Sequence, residues 1–182
     1  MSETQNMSIV EKAKAIIRDV PDFPKPGILF KDITPIFHDQ ELCNEIVTVF
    51  SDYCKDKNIN AIVGVESRGF LFGFALANKL NIPFVLVRKV GKLPYKTISY
   101  EYDLEYGSAK VEMQVDDIQP GWNVMIHDDL LATGGTAEAA AKLIQMQKGI
   151  VAGFAFVVEL DFLKGKERLN QYSENILSLV NY

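Results

Sequence analysis

Apolar residues along the chain alternate between stretches at helical spacing and short continuous blocks, and that alternation predicts the element order. Ser8 to Val20 carries apolar positions three and four apart, predicting a helix that "PDFPKPG" at 21–27 breaks with three prolines and a glycine. "ILFKDITPIF" comes next as a short extended segment and loop, and helical spacing returns from Glu41 to Lys57. "NAIVGVE" at 60–66 is a compact apolar block predicting a strand, and "SRGFLFGFALANKL" after it suits a helix. "IPFVLVRK" at 82–89 repeats the strand pattern. "SYEYDLEYG" and "SAKVEMQV" alternate as the two arms of a hairpin. "WNVMIHDD", Gly135 to Lys148 and "GIVAGFAFVVEL" then read as strand, helix and strand. "FLKGKERLNQ" reads as a short surface helix and "NILSLVNY" as a last strand. Continuous apolar strands separated by helices predict an α/β fold, a mainly parallel central sheet flanked by helices on both faces. Residues 1–182 show no internal repeat, low-complexity tract or linker, so one domain is expected.

Composition narrows the functional classes. A chain of 182 residues with 48% apolar and 24% charged residues is globular and long enough to bury its own core. It holds no run near the roughly 18 apolar residues that span a bilayer, and Met1 to Val10 lacks the order of an export signal, so a cytoplasmic protein with no membrane partner is expected. A net charge of -5 argues against nucleic acid as a partner. The charge is uneven, however: "RKVGKLPYK" at 88–96 holds Arg88, Lys89, Lys92 and Lys96 without one acid, the mark of a local anion site. Cys43 and Cys54 on one helix would lie about 16 Å apart, too far for a disulfide, and are read as small core residues. His38 and His127 have no zinc-like spacing.

The chemistry concentrates in "VMIHDDLLATGGTA" at 124–137. In a parallel α/β sheet, ligands bind beyond the carboxyl ends of the strands, where Asp128 and Asp129 fall. Ala132, Thr133, Gly134, Gly135 and Thr136 then form a turn into a helix, with glycines for unusual backbone angles and hydroxyls and N–H groups that can point at one anion. The turn lacks the Gly-Lys-Ser/Thr ending of an ATP-binding loop, and no GxGxxG follows a strand. Carboxylates beside a phosphate site repel it unless something lies between. A pentose does, with its phosphate in the cup and its hydroxyls donating to the acids. The plain alternative is that Asp128 caps a loop and Gly134-Gly135 only turns the chain.

The strand, acidic pair and "ATGGT" resemble the phosphoribosyl pyrophosphate (PRPP) motif of the type I phosphoribosyltransferases. "PDFPKPGILFKDITPIF", "VGVESRGFLFG", "RKVGKLPYKT" and "LEYG" extend the resemblance, in order and over nearly the whole chain, to the adenine phosphoribosyltransferases of that family. The resemblance implies transfer of ribose 5-phosphate from PRPP to N9 of adenine, giving AMP and pyrophosphate in purine salvage, with Mg²⁺ held mainly through substrate oxygens and by no firm protein ligand. It also implies a homodimer. It assigns Ala132 to Thr136 to the 5′-phosphate, Asp128 and Asp129 to the ribose, and Ser67, Arg68, Arg88, Lys89 and Lys92 to the pyrophosphate, some of these across the dimer interface. Leu29, Phe30 and Lys31, in a base-recognition segment of about 20–37, are assigned to adenine, with Leu160 beside them. Glu105 is implied as the catalytic residue and Tyr106 as its support, on a β-hairpin flap of about 90–106. Lys31 stands where many members carry arginine, and Tyr95 where many carry glycine.

Other readings stay open from sequence alone. An oxopurine phosphoribosyltransferase shares the fold, although "ILFKD" and Glu105 favour adenine. A PRPP-binding regulator without catalysis would keep the cup. A receiver-like signalling domain would use the acids for Mg²⁺ and leave Thr133 to Thr136 unexplained. For Glu101, Asp103 and Glu105 a solvated acidic stripe is the plain alternative, for Arg68 a surface ion pair, for the lysines a solvated loop, and for Leu160 plain core.

Overall fold

The computed structural model describes residues 7–103 and 108–182, and the chain divides into two units, Met1–Val49 and Phe50–Tyr182. The first begins with α1 (Ile9–Ile16), whose N-terminus is closed by a reciprocal cap. Glu11 N–H donates to Ser8 Oγ, and Ser8 N–H donates to the Glu11 carboxylate. The expected helix to Val20 stops short, because Arg18–Pro21 forms β1, which pairs antiparallel with β2 (Leu29–Asp32). Helical spacing continues through these residues, but the pairing of Val20 with Phe30 and of Pro21 with Leu29 decides their backbone. A 3-10 turn, Thr34–His38, leads into α2 (Gln40–Cys54), where Asp39 accepts the Leu42 N–H at 3.0 Å.

The second unit holds a seven-stranded sheet built from β3 (Ala61–Val65), β4 (Phe84–Lys89), β5 (Thr97–Asp103), β6 (Ser108–Gln114), β7 (Asn123–Leu131), β8 (Ile150–Glu159) and β9 (Ile176–Asn181). Its order is β5-β6-β4-β3-β7-β8-β9. Strands β4, β3, β7, β8 and β9 run parallel, and the hairpin β5–β6 adds antiparallel to β4. Three helices complete it: α3 (Gly69–Leu80), α4 (Gly135–Met146) and α5 (Gly165–Leu169).

Alternation along β7 shows how the sheet is covered. Val124 and Ile126 join the core cluster that contains Ala137, Ala140, Ala141 and Ile144 of α4. His127, one position on, faces Phe50 and Phe72, the latter on α3. Successive side chains leave a strand on opposite faces, so α3 and α4 lie on opposite sides of β7. The close fit of α3 depends on missing side chains: a Cβ on Gly64 would stand 2.4 Å from the Phe84 ring, and one on Gly73 2.9 Å. The expected surface helix near the C-terminus contracts to α5, with Gly165 and Leu169 buried. Cys54 is buried, and burial pushes its thiol up to about 11, while half-buried Cys43 donates to the Ile36 carbonyl. Among the described residues, no helix is long and apolar enough to cross a membrane.

Burial holds the His127 imidazole down to about 4, the larger cause opposing a smaller upward pull from Asp129. Folded chains therefore resist a proton that unfolded chains accept below about 6.5. The stability tied to neutral His127 is complete above that value and lost as pH falls toward 4, about 3 kcal/mol in all. Urea titrations at pH 7 and pH 4 should show wild type losing about 3 kcal/mol more than His127→Leu; equal losses would contradict this.

Candidate functional site

Parallel strands β3 and β7 end side by side, and the turns that leave them form the site together. The chain leaves β3 through Glu66, Ser67 and Arg68, with a cis peptide between Glu66 and Ser67, and enters α3 at Gly69. A Cβ on Gly69 would lie 2.9 Å from Asp128 Oδ1 and 3.0 Å from the His127 carbonyl oxygen. Only glycine lets the start of α3 press this closely on β7.

Asp128 and Asp129 lie near the C-terminal end of β7, on its opposite faces. Asp128 accepts the Asp129 N–H at 2.8 Å, and Arg68 Nε donates to Asp129 Oδ2 as an ion pair. Burial, with the neighbouring Asp129 carboxylate second, pushes the Asp128 carboxyl well above the ordinary aspartate range. Two carboxyl groups this close resist carrying two full charges together.

Glu66, Ser67, Arg68, Lys89, Asp128, Asp129, Leu130 and Thr136 line one cavity of about 330 Å³. Thr136 brings to this lining the first turn of α4, which the chain enters from β7. Gly134 stands at the helix start with φ 82° and ψ -2°, the left-handed region, and a Cβ there would meet the Gly165 carbonyl oxygen at 3.0 Å. No described side chain caps the helix, so the first-turn amides, which have no carbonyl partner inside a helix, face outward as an anion cradle.

The expected residues separate clearly. Ser67, Arg68, Lys89, Asp128, Asp129 and Thr136 share the cavity, and Ala132, Thr133, Gly134 and Gly135 form the turn that delivers Thr136. Arg88 turns its Nε to Glu66 at 3.1 Å and donates from Nη1 to the Lys92 carbonyl, while Lys92 is exposed. Leu160 comes after β8, its N–H on the Leu131 carbonyl at 2.9 Å. In the first unit, Leu29, Phe30 and Lys31 are consecutive on β2: Leu29 is exposed, Phe30 meets the Phe23 ring edge-on, and Lys31 Nζ pairs with Asp19 at 2.6 Å. Glu105 and Tyr106 lie outside the described residues.

Several residues that the sequence patterns do not single out hold these groups in place. Glu66 accepts from Arg88 Nε and from the Lys89 N–H at 3.0 Å. Burial works to raise the Glu112 carboxyl, but the N–H groups of Leu93 and Lys92 and the Thr97 hydroxyl outweigh it and hold it below its ordinary value. That carboxylate anchors the turn carrying the basic segment. Tyr102 Oη lies 3.1 Å from Thr136 Oγ1, and Arg168 pairs with Glu138 on the first turn of α4. A glutamate within an alternating strand gives no sign that its partners are backbone amides about twenty positions away. Among the described residues no group of three or more carboxylate, histidine or cysteine side chains converges as a metal site.

The phosphoribosyl transferase domain model matches residues 35–177. The chain is 50% identical over 179 residues to the adenine phosphoribosyltransferase of Cytophaga hutchinsonii, covering 98% of this chain and 99% of that protein. Among solved structures, the adenine phosphoribosyltransferase of Thermoanaerobacter pseudethanolicus superposes with TM-score 0.91 at 46% identity, covering 95% of this chain and 99% of that one. The Saccharomyces cerevisiae enzyme, complexed with an imino-altritol bisphosphate and adenine, superposes with TM-score 0.88 at 40% identity, covering 94% and 98%.

Because the folded Asp128 pKa is raised, ionisation at neutral pH costs stability, a cost that vanishes as pH falls and the group is protonated. Asp128→Asn should therefore gain about 1–2 kcal/mol at pH 8, the gain shrinking toward pH 4. Chemical denaturation across that range measures it, and a destabilised variant at pH 8 would contradict the charge assignment.

Proposed function

The chain belongs to the adenine phosphoribosyltransferases, within the type I phosphoribosyltransferase family, and on that footing we propose how its own residues carry the reaction. It transfers the 5-phosphoribosyl group from PRPP to N9 of adenine, giving AMP and pyrophosphate in purine salvage. The observation that carries this reading is the shared cavity, whose lining includes both carboxylates, Arg68, and Thr136 from the uncapped first turn of α4.

The 5′-phosphate lies against Ala132 to Thr136, bound by first-turn amides and the Thr133 and Thr136 hydroxyls. The ribose hydroxyls donate to Asp128 and Asp129, whose negative charge also favours the positive charge that develops at C1′ as the pyrophosphate leaves. Arg68, with the backbone at Ser67, holds the pyrophosphate, and Lys89, Arg88 and Lys92 add cations around it. The planar guanidinium of Arg68, with five N–H donors, can keep Nε on Asp129 while presenting others to the leaving group. Adenine is read by backbone groups of Leu29 to Lys31 and stacked on Phe30. Glu105 exchanges a proton with the purine ring at N7 as N9 attacks C1′, and Tyr106 seats the flap that carries it. Closure of the segment that carries Glu105 keeps water from C1′.

Mg²⁺, a hard ion that takes oxygen ligands and keeps several waters, would be held mainly through pyrophosphate and ribose oxygens and water, with no firm protein ligand. When bound, the ion neutralises charge on the departing pyrophosphate. The enzyme works in the cytoplasm as a homodimer without nucleic-acid or membrane partners. Exposed Leu71 and Phe74 on α3 give an apolar face suited to a second copy.

Pyrophosphate release from PRPP and Mg²⁺, measured with a panel of purine and pyrimidine bases, should occur with adenine at least about a hundredfold faster than with hypoxanthine, guanine or xanthine, since mispaired buried polar groups reject the wrong base. Glu105→Gln should lower kcat by about 100-fold or more, the usual scale of general acid–base catalysis, with PRPP affinity kept. Preference for an oxopurine would overturn the substrate assignment, and equal loss of turnover and affinity would overturn the role of Glu105.

A further inference from the structure

The phosphate cup has a wall that no expected residue supplies. Tyr102 leaves β5 on the core side together with Ile98 and Tyr100, all packed against the cluster that contains the alanines of α4. Its ring edge lies over Gly135, where a Cβ would stand 3.3 Å from Tyr102 Cδ2 and 3.0 Å from Arg168 Nη1. Beyond Gly135 its hydroxyl reaches Thr136 Oγ1 at 3.1 Å. Arg168, on the other side, is held by Glu138 at 3.4 Å. The absent side chain at Gly135 is thus the space through which Tyr102 reaches the cup.

Two hydroxyls in contact hold two protons, and one of them donates to the other. Without an anion either direction satisfies the pair. With an anion in the cup, the directions are no longer equal. If Thr136 donates to Tyr102, its oxygen lone pairs face the phosphate and repel it. If Tyr102 donates to Thr136, the threonine proton is released to the phosphate, and the two hydrogen bonds point the same way and strengthen one another.

We propose that Tyr102 is a positioning residue of the 5′-phosphate site: it donates to Thr136 Oγ1 and so turns the threonine hydroxyl proton toward the bound anion. This rests on the reading of Ala132 to Thr136 as the phosphate cup. Coupling between two sites is reciprocal, so an occupied cup also tightens β5 against α4.

Calorimetric titration with AMP and with adenosine, which lacks the phosphate, tests the proposal on wild type, Tyr102→Phe, Thr136→Val, Thr136→Ser and the two double variants with Tyr102→Phe. Tyr102→Phe keeps the ring, and should weaken AMP binding by about tenfold, the scale of a hydrogen bond to a charged group. Adenosine binding should be unchanged, which also reports an intact fold. The loss should disappear in the Thr136→Val background, where no hydroxyl remains to orient, and persist in Thr136→Ser. Hydrogen exchange in β5 should slow on AMP addition in wild type and not in Tyr102→Phe. Equal weakening of AMP and adenosine, no weakening of either, or an undiminished loss in the Thr136→Val background would overturn the role of Tyr102. If wild type itself binds AMP no tighter than adenosine, the cup reading fails, and the proposal with it.

Discussion

Two carboxylates on consecutive residues at the end of a buried parallel strand are an electrostatic problem, and the architecture of the site is the way this chain resolves it. Asp129 is answered by Arg68, delivered from the turn after the neighbouring strand. Asp128 takes the Asp129 amide and carries a raised pKa in consequence of burial and its neighbour. The parallel pairing of β3 with β7 is what brings Arg68 to Asp129, since parallel strands end on the same side and their following turns meet. Such a pair destabilises the fold unless a ligand uses it, which is why perturbed carboxylates mark functional sites.

Glycines set the distances around that pair. Gly69 lets α3 start against Asp128, Gly134 supplies the left-handed turn into α4, and Gly165 fits against the Ala132 carbonyl, where a Cβ would stand 2.3 Å away. Each contact joins a segment of the cavity wall to a different element, so the anion cradle, the acids and the cation are held by the core and not by the loops alone. Basic residues at 88–92 are secured differently, by Glu66 and Glu112 accepting backbone amides of the same segment. Acidic side chains thereby hold the cationic segment in place.

Much of this is legible from residue order. The buried strands announce themselves as continuous apolar runs, because strands covered on both faces have no polar side to show, and the acidic pair ahead of Thr-Gly-Gly-Thr carries its own chemical logic. Competition between local rhythm and long-range pairing hides the rest. Ser8 to Val20 keeps helical spacing throughout, yet Arg18–Pro21 pairs as a strand with Leu29–Asp32. The short helix α5 reads as a surface element, but its buried glycine packs on the turn that leads into α4, a relation that no local pattern encodes. Glu112 and Tyr102 look like ordinary members of alternating strands, and only the sheet order and the packing of β5 on α4 give them partners.

A crystal structure with AMP bound tests the central claim most directly, because AMP carries the phosphate and the ribose in one covalent unit. The phosphate should sit on the amides of residues 133–136 with hydroxyl contacts from the threonines, and both ribose hydroxyls should lie within about 2.5–3.0 Å of the Asp128 and Asp129 carboxylates. A nucleotide whose ribose lies away from those carboxylates, or whose phosphate rests elsewhere than at the start of α4, would contradict it.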